Sequence, residues 1–171
     1  MSPSFAKSWP HIGHSEERHC EDRKFKQKHH QYAGVAICPR CNAIWRAKHW
    51  YVKPSEAQQL AADPLTRSEY CPGCDQINKE IYEGEVHLIG TLHDKDSALG
   101  LLNHTEAKAY LQNPRSRIAR IDTADGALKV LTTTAWLATR IGKEFEKAFK
   151  GSLEIKRSPG ERFVIVNWQA P

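Results

Sequence analysis

Four cysteines stand at a spacing that suits one metal ion: Cys38 and Cys41 in CPRC, Cys71 and Cys74 in CPGC. Two intervening residues let a tight turn aim two thiolates at the same point. Two such turns complete the tetrahedral four-sulfur set of a structural Zn²⁺ site. The connection between the pairs, residues 42–70, exceeds the roughly 15–20 residues of the commonest pattern, which implies additional structure inside it. Two disulfides or a redox dithiol are the alternative. No βαβ pattern flanks either pair and the amino terminus lacks the apolar stretch of a secretory signal, so zinc in a reducing, cytoplasmic setting is expected. Four thiolates leave a metal no open position for water. Such a centre folds a chain and does no chemistry.

Other chemistry is hard to find. GxGxxG, P-loop, HExxH and GxSxG patterns are all missing from the sequence. His14-Ser15-Glu16 matches the first half of a zinc deaminase signature, but Ile37 and Tyr70 stand where that signature has proline before its cysteines. Asp94, Asp96, Asp122 and Asp125 are explained by helix caps and hairpin turns. His87, His93 and His104 converge on no motif. The chain therefore reads as no enzyme, with no small-molecule substrate. His11, His14, His19 and Cys20 offer ligands for a second metal, though no apolar core accompanies them.

Charge points to a polyanionic partner. The net charge of +5 is unevenly spread: residues 76–112 carry −3 and residues 113–171 carry +5. Residues 1–34 read as an unfolded arm, too poor in apolar side chains to offset the entropy of ordering. In it Arg18, Arg23, Lys24, Lys26 and Lys28 alternate with Trp9, Phe25 and five histidines. Cations for phosphates and rings for bases make such an arm a candidate thread along RNA; a solvated tail is the alternative. Further candidates are Arg40, Arg46, Lys48 and Trp50 around the first cysteine turn, and Arg115, Arg117 and Arg120 near a strand. Lys143, Lys147 and Lys150 share one side of a helix, where a solvated face would look the same. No run of about 18 apolar residues exists, so no membrane partner is expected.

The elements that position these groups fall into two units. Residues 35–84 form a four-cysteine zinc ribbon: short strands at Val35–Ile37 and Ile44–Val52, then a helix at Glu56–Ala62 with Ser55 as cap. Trp45 is expected in its core, with Trp50 and Tyr51 available as a stacking surface. Residues 85–171 form an α+β domain. Its pattern is a strand at Glu85–Thr91, then a helix from Asp96 with Leu99, Leu102, Ala109 and Leu111 on its face. A hairpin of Arg117–Thr123 and Ala127–Thr132 follows, turning at Ala124-Asp125-Gly126. The longest helix is expected next, capped by Thr133 or Thr134, with Leu137, Ala138, Ile141, Phe145, Ala148 and Phe149 on one face. Two strands close the pattern, and apolar Phe163–Val166 is expected to be central. Helices on one face of a mainly antiparallel sheet are the expected architecture.

The order of these motifs carries a resemblance. CPRC and CPGC are followed by Ile81-Tyr82-Glu83-Gly84-Glu85-Val86. Then come Thr132-Thr133-Thr134, Leu137-Ala138-Thr139-Arg140-Ile141-Gly142 and Phe163-Val164-Ile165-Val166-Asn167-Trp168. Over about residues 35–168 the chain resembles short bacterial zinc-ribbon proteins. Those are similar to the N-terminal part of the large-ribosomal-subunit export adaptor of archaea and eukaryotes. Longer relatives carry more CxxC pairs and further domains, so export itself does not carry over. The resemblance implies docking on ribosomal RNA of the large subunit, in assembly or in protecting idle ribosomes. A zinc-ribbon adaptor for proteins, or a DNA-binding regulator, is the rival reading; neither a recognition helix nor a dimer seam is visible in the sequence.

Overall fold

The computed structural model describes residues 34–90, 95–124, 127–157, 160 and 162–171. The arm with its cations and histidines, His93, Asp94, the hairpin turn at 125–126 and most of the turn at 158–161 lie outside the described residues. The rest is mixed α and β, with two sheets and four helices.

The first sheet belongs to the cysteine region. Strands β1 (Ala36–Ile37), β2 (Ile44–Arg46) and β3 (His49–Tyr51) pair antiparallel, and β4 (Arg67–Ser68) adds to β1 in parallel, for an order β3-β2-β1-β4. Helix α1 (Pro54–Ala61) fills the long connection. It starts at Pro54 with Lys53 in the cap position, earlier than the expected start after Ser55. Proline fits that first position because its missing N–H has no partner to lose there. Helix α2 (Pro72–Asn78) was not anticipated: Cys71 caps it, Pro72 opens it, and Asp75 lies in its first turn.

The second sheet is five-stranded, in the order β6-β7-β5-β9-β8. Its strands are β5 (Gly84–Ile89), β6 (Ile118–Ala124), β7 (Ala127–Thr132), β8 (Ser152–Arg157) and β9 (Val164–Gln169). All neighbours are antiparallel except β5 and β9. Helices α3 (Lys95–Gln112) and α4 (Ala135–Phe149) pack with the sheet through Val86, Leu88, Leu102, Leu137, Phe145 and Trp168, all fully or nearly fully buried. The opposite face is polar: Lys129 Nζ and His87 Nε2 both meet the Glu85 carboxylate, at 2.9 and 2.6 Å.

Four expectations need correction. The longest helix is α3 with 18 residues, against 15 in α4. Gly100 is tolerated inside α3 because it is exposed, with nothing near it. The buried side of α3 is Ala98, Leu102, Thr105 and Ala109, whereas Leu111 is largely exposed. Strand β9 is interior but not central, since β5 holds the middle, and Ile165 points into solvent while Val164 and Val166 are buried. On α4, Ala148 is likewise exposed. The cap of α4 is Thr134, whose Oγ1 accepts from the Leu137 N–H at 3.3 Å. The helix ends where Lys150 and Gly151 take positive φ values of 63° and 86°, geometry that favours glycine.

Candidate metal centre

The two cysteine pairs converge from different local structures. Cys38 and Cys41 lie on a turn closed by the Cys38 N–H donating to Ala43 O at 2.8 Å and the Asn42 N–H donating to Cys38 O at 2.9 Å. Asn42 supplies the left-handed residue that this turn needs, with φ 61°. Cys71 and Cys74 lie at the start of α2, where the helix itself sets their spacing. The four sulfurs all fall within 4.8 Å of one another. Cys41 Sγ and Cys71 Sγ, one from each pair, are 3.5 Å apart. A tetrahedral zinc with Zn–S near 2.3 Å needs sulfurs about 3.8 Å apart, and a disulfide needs about 2.05 Å. The thiols are free, and the spacing fits a metal.

Electrostatics say the same. Hydrogen bonds from Cys41, and then Cys71 and Cys74, drive the Cys38 thiol far below its ordinary range. The contact with Cys38 raises Cys41, but Cys71 and Cys74 outweigh it and bring that thiol to about 6. Cys71 and Cys74 are pushed well up, chiefly by their contacts with Cys38 and then Cys41. Four crowded thiols thus share negative charge unequally, and a divalent cation among them allows all four to ionise.

The sequence reading did not pick out the groups that seat this centre on the second sheet. Gly73 is buried inside CPGC, and a Cβ there would sit 2.5 Å from Pro114 O and 2.9 Å from Arg115 O. Only a glycine lets α2 approach that loop so closely. Tyr110 Oη, on α3, donates to Cys41 O at 2.5 Å. The Arg117 guanidinium lies over the Tyr110 ring at 4.8 Å, and its Nε donates to Glu106 Oε1 at 2.9 Å. Burial lowers the Arg117 pKa, but the pair with Glu106 outweighs it, helped by the nearby cysteines. Gln76, buried on α2, donates to Thr133 O at 3.3 Å and accepts from Arg115 Nε at 3.0 Å. Thr133 Oγ1 accepts the Arg117 N–H at 2.8 Å and itself donates to Arg115 O at 2.5 Å. Thr133 and Thr134 therefore tie the cysteine helix, the 113–117 loop and the start of α4 together. A buried TTT ahead of a helix, beside a glycine within a CxxC, was the available signal.

The nominated cations are spread over several places. Arg40, in the first cysteine turn, is exposed and donates to Asn78 Oδ1 at 3.0 Å. Lys48 is exposed at the β2–β3 turn, where its φ is 67°. Arg46 pairs with Glu56, Arg115 with Glu83, and Arg117 with Glu106. Arg120 meets Asp122 at 2.8 Å on the surface. Trp50 is half-buried against the cysteine cluster, with Trp45 5.8 Å away, ring to ring. Arg40, Lys48 and Trp50 thus share the cysteine region, while Arg115 and Arg117 are held by carboxylates at the joint between the sheets. No described helix is long and apolar enough to cross a membrane. No family model, curated protein or solved structure matches the chain.

Proposed function

We propose that this chain is a zinc-ribbon protein that binds ribosomal RNA on the large subunit, in the assembly or the protection of idle ribosomes. The observation that carries the zinc part is the cluster of four sulfurs within 4.8 Å of one another, three of the cysteines buried and all four free of a disulfide. Cys38, Cys41, Cys71 and Cys74 hold the ion, which cross-links the β1–β2 turn to α2 and supplies folding energy. No reaction is assigned to it, because four protein ligands occupy every tetrahedral position.

The RNA part is supported by Arg40 and Lys48, both exposed beside the metal turns, and by the basic carboxy-terminal third. The ribosomal part is supported by the resemblance to the export-adaptor family. Cytoplasmic location follows from the same reading. The test is migration of the zinc-loaded chain with purified ribosomal subunits on sucrose gradients at low and moderate salt. Stoichiometric migration with the large subunit, weakening as salt rises, is the expected result. Free protein at the top of the gradient at both salts would remove the proposal and leave a protein-binding adaptor as the better reading.

A further inference from the structure

Helix α4 buries Leu137, Ile141 and Phe145 against the sheet, and its opposite face has a pattern of its own. Trp136 remains 48% exposed, an uncommon position for so large a ring on a helix that already has a buried side. A helix turns about 100° per residue, so Arg140, Lys143 and Lys147 all fall within roughly 40° of Trp136 around the axis. Successive cations climb about 4.5–6 Å along it. Lys143, Lys147 and Lys150 are exposed. The acids of α4, Glu144 and Glu146, lie roughly 80° to either side; Glu144 reaches Arg140 Nε only at 4.0 Å.

Two further contacts arrange this face. The Arg140 guanidinium sits over the Trp136 ring at 5.2 Å. Arg157, from β8, reaches across to donate to Thr139 Oγ1 at 3.3 Å, which brings a second guanidinium to this helix. An exposed aromatic ring under one arginine, with a second arginine anchored on the same helix and lysines following along the face, matches a nucleic-acid strand: a base for the ring, phosphates for the cations. A membrane surface would need the apolar side of the helix, which is buried in the fold.

We infer that the outer face of α4 holds a single-stranded or looped RNA segment, with an unpaired base stacked on Trp136 and phosphates on Arg140, Arg157, Lys143 and Lys147. This rests on the RNA-binding reading above and names the surface and the strandedness. The zinc-loaded full chain is titrated into a labelled single-stranded RNA of mixed sequence and into the matching duplex, by fluorescence anisotropy. Poly-glutamate is the competitor. Loss of one stacked base predicts that Trp136→Ala weakens the single strand roughly 10-fold. Trp136→Phe retains most of the affinity, and the duplex changes by less than about 2-fold. Lys143→Glu with Lys147→Glu weakens both RNAs and lowers the slope against salt. Unchanged zinc content and melting temperature show that Trp136→Ala is folded. Single-strand binding by Trp136→Ala at wild-type strength overturns the inference, and so does an equal loss on poly-glutamate, which would mark an acidic protein as the occupant. If the wild type migrates with large subunits and Trp136→Ala does so equally, this surface is excluded while the proposed function stands. If the wild type binds neither RNA nor subunits, both fall.

Discussion

The two sheets of this molecule are held together in different ways. Around the sulfurs the buried cluster is small, Cys38, Ala43, Cys71 and Cys74, with Cys41 and Trp50 packed on it among the described residues. The five-stranded sheet buries Trp168, Phe145, Leu88, Leu102, Leu128, Leu137 and Ile141 completely or nearly so. Apolar burial at about 25 cal/mol per Å² can support the second but not the first, whose strands are two or three residues long. The difference teaches that the cysteine region depends on what its four sulfurs hold, a role the proposed zinc would fill, and that the other region must stand on its apolar core.

Breaking that contrast at its strongest point means removing the metal. Chelation, or Cys71→Ser, forfeits a binding energy of about 10 kcal/mol or more. Amide exchange is then expected to lose protection throughout β1–β4 and α2 while β5, β7 and β9 keep theirs. Retained protection around the cysteines would show that the region has a core of its own. On the other side, Phe145→Ala empties the space between α4, Phe149 and Trp168, whose rings lie 5.4 and 5.5 Å from that of Phe145. It should cost about 3–5 kcal/mol in chemical denaturation, with zinc stoichiometry unchanged.

The seam between the regions gives a smaller, sharper test. Gly73→Ala drives a methyl into Pro114 O, with an expected cost of roughly 2 kcal/mol. Arg40→Ala, in the matching turn of the first pair, should be nearly silent in the same melt. Equal effects at the two turns would mean that α2 is not seated as described. Last comes pH. Burial raises the Glu85 carboxyl, but the hydrogen bonds from His87 and Lys129 outweigh it and bring it down to about 2 from an ordinary 4.5. A depressed carboxyl stabilises the fold above pH 4.5, and that contribution fades as pH falls toward 2. Glu85→Gln should therefore cost about 1–2 kcal/mol at pH 6 and much less near pH 2. A constant difference across that range would assign the effect to packing instead.

Much of this was legible in the residues. The cysteine spacing foretold the cluster, and alternation and capping foretold β5, the β6–β7 pair and α4 with Thr134. The α2 helix was hidden because Pro72-Gly73 reads as a turn, although Pro72 and Asp75 are also what a first helical turn prefers. On α3, Leu102 and Ala109 are buried as expected and Leu99 packs partly against the core, but Leu111 faces out and Ala98 and Thr105 complete the contact, small enough for close approach and too weakly apolar to stand out. An unbroken apolar run made β9 look central, yet Ile165 faces water. Gly73 and Gln76 could not be grouped with Tyr110 because they lie about 40 residues before the Pro114–Arg117 loop that all three touch.

The parallel pairing of β5 with β9 joins Gly84 to Val164. A ribosome making this chain at about 5–20 residues per second needs roughly 4–16 seconds to reach β9 after finishing the start of β5. The cysteine region is complete before that interval begins. Metal capture can therefore precede closure of the large sheet during synthesis. Through those seconds β5 exposes an unpaired edge, the kind of surface that nascent-chain chaperones shield from neighbouring strands.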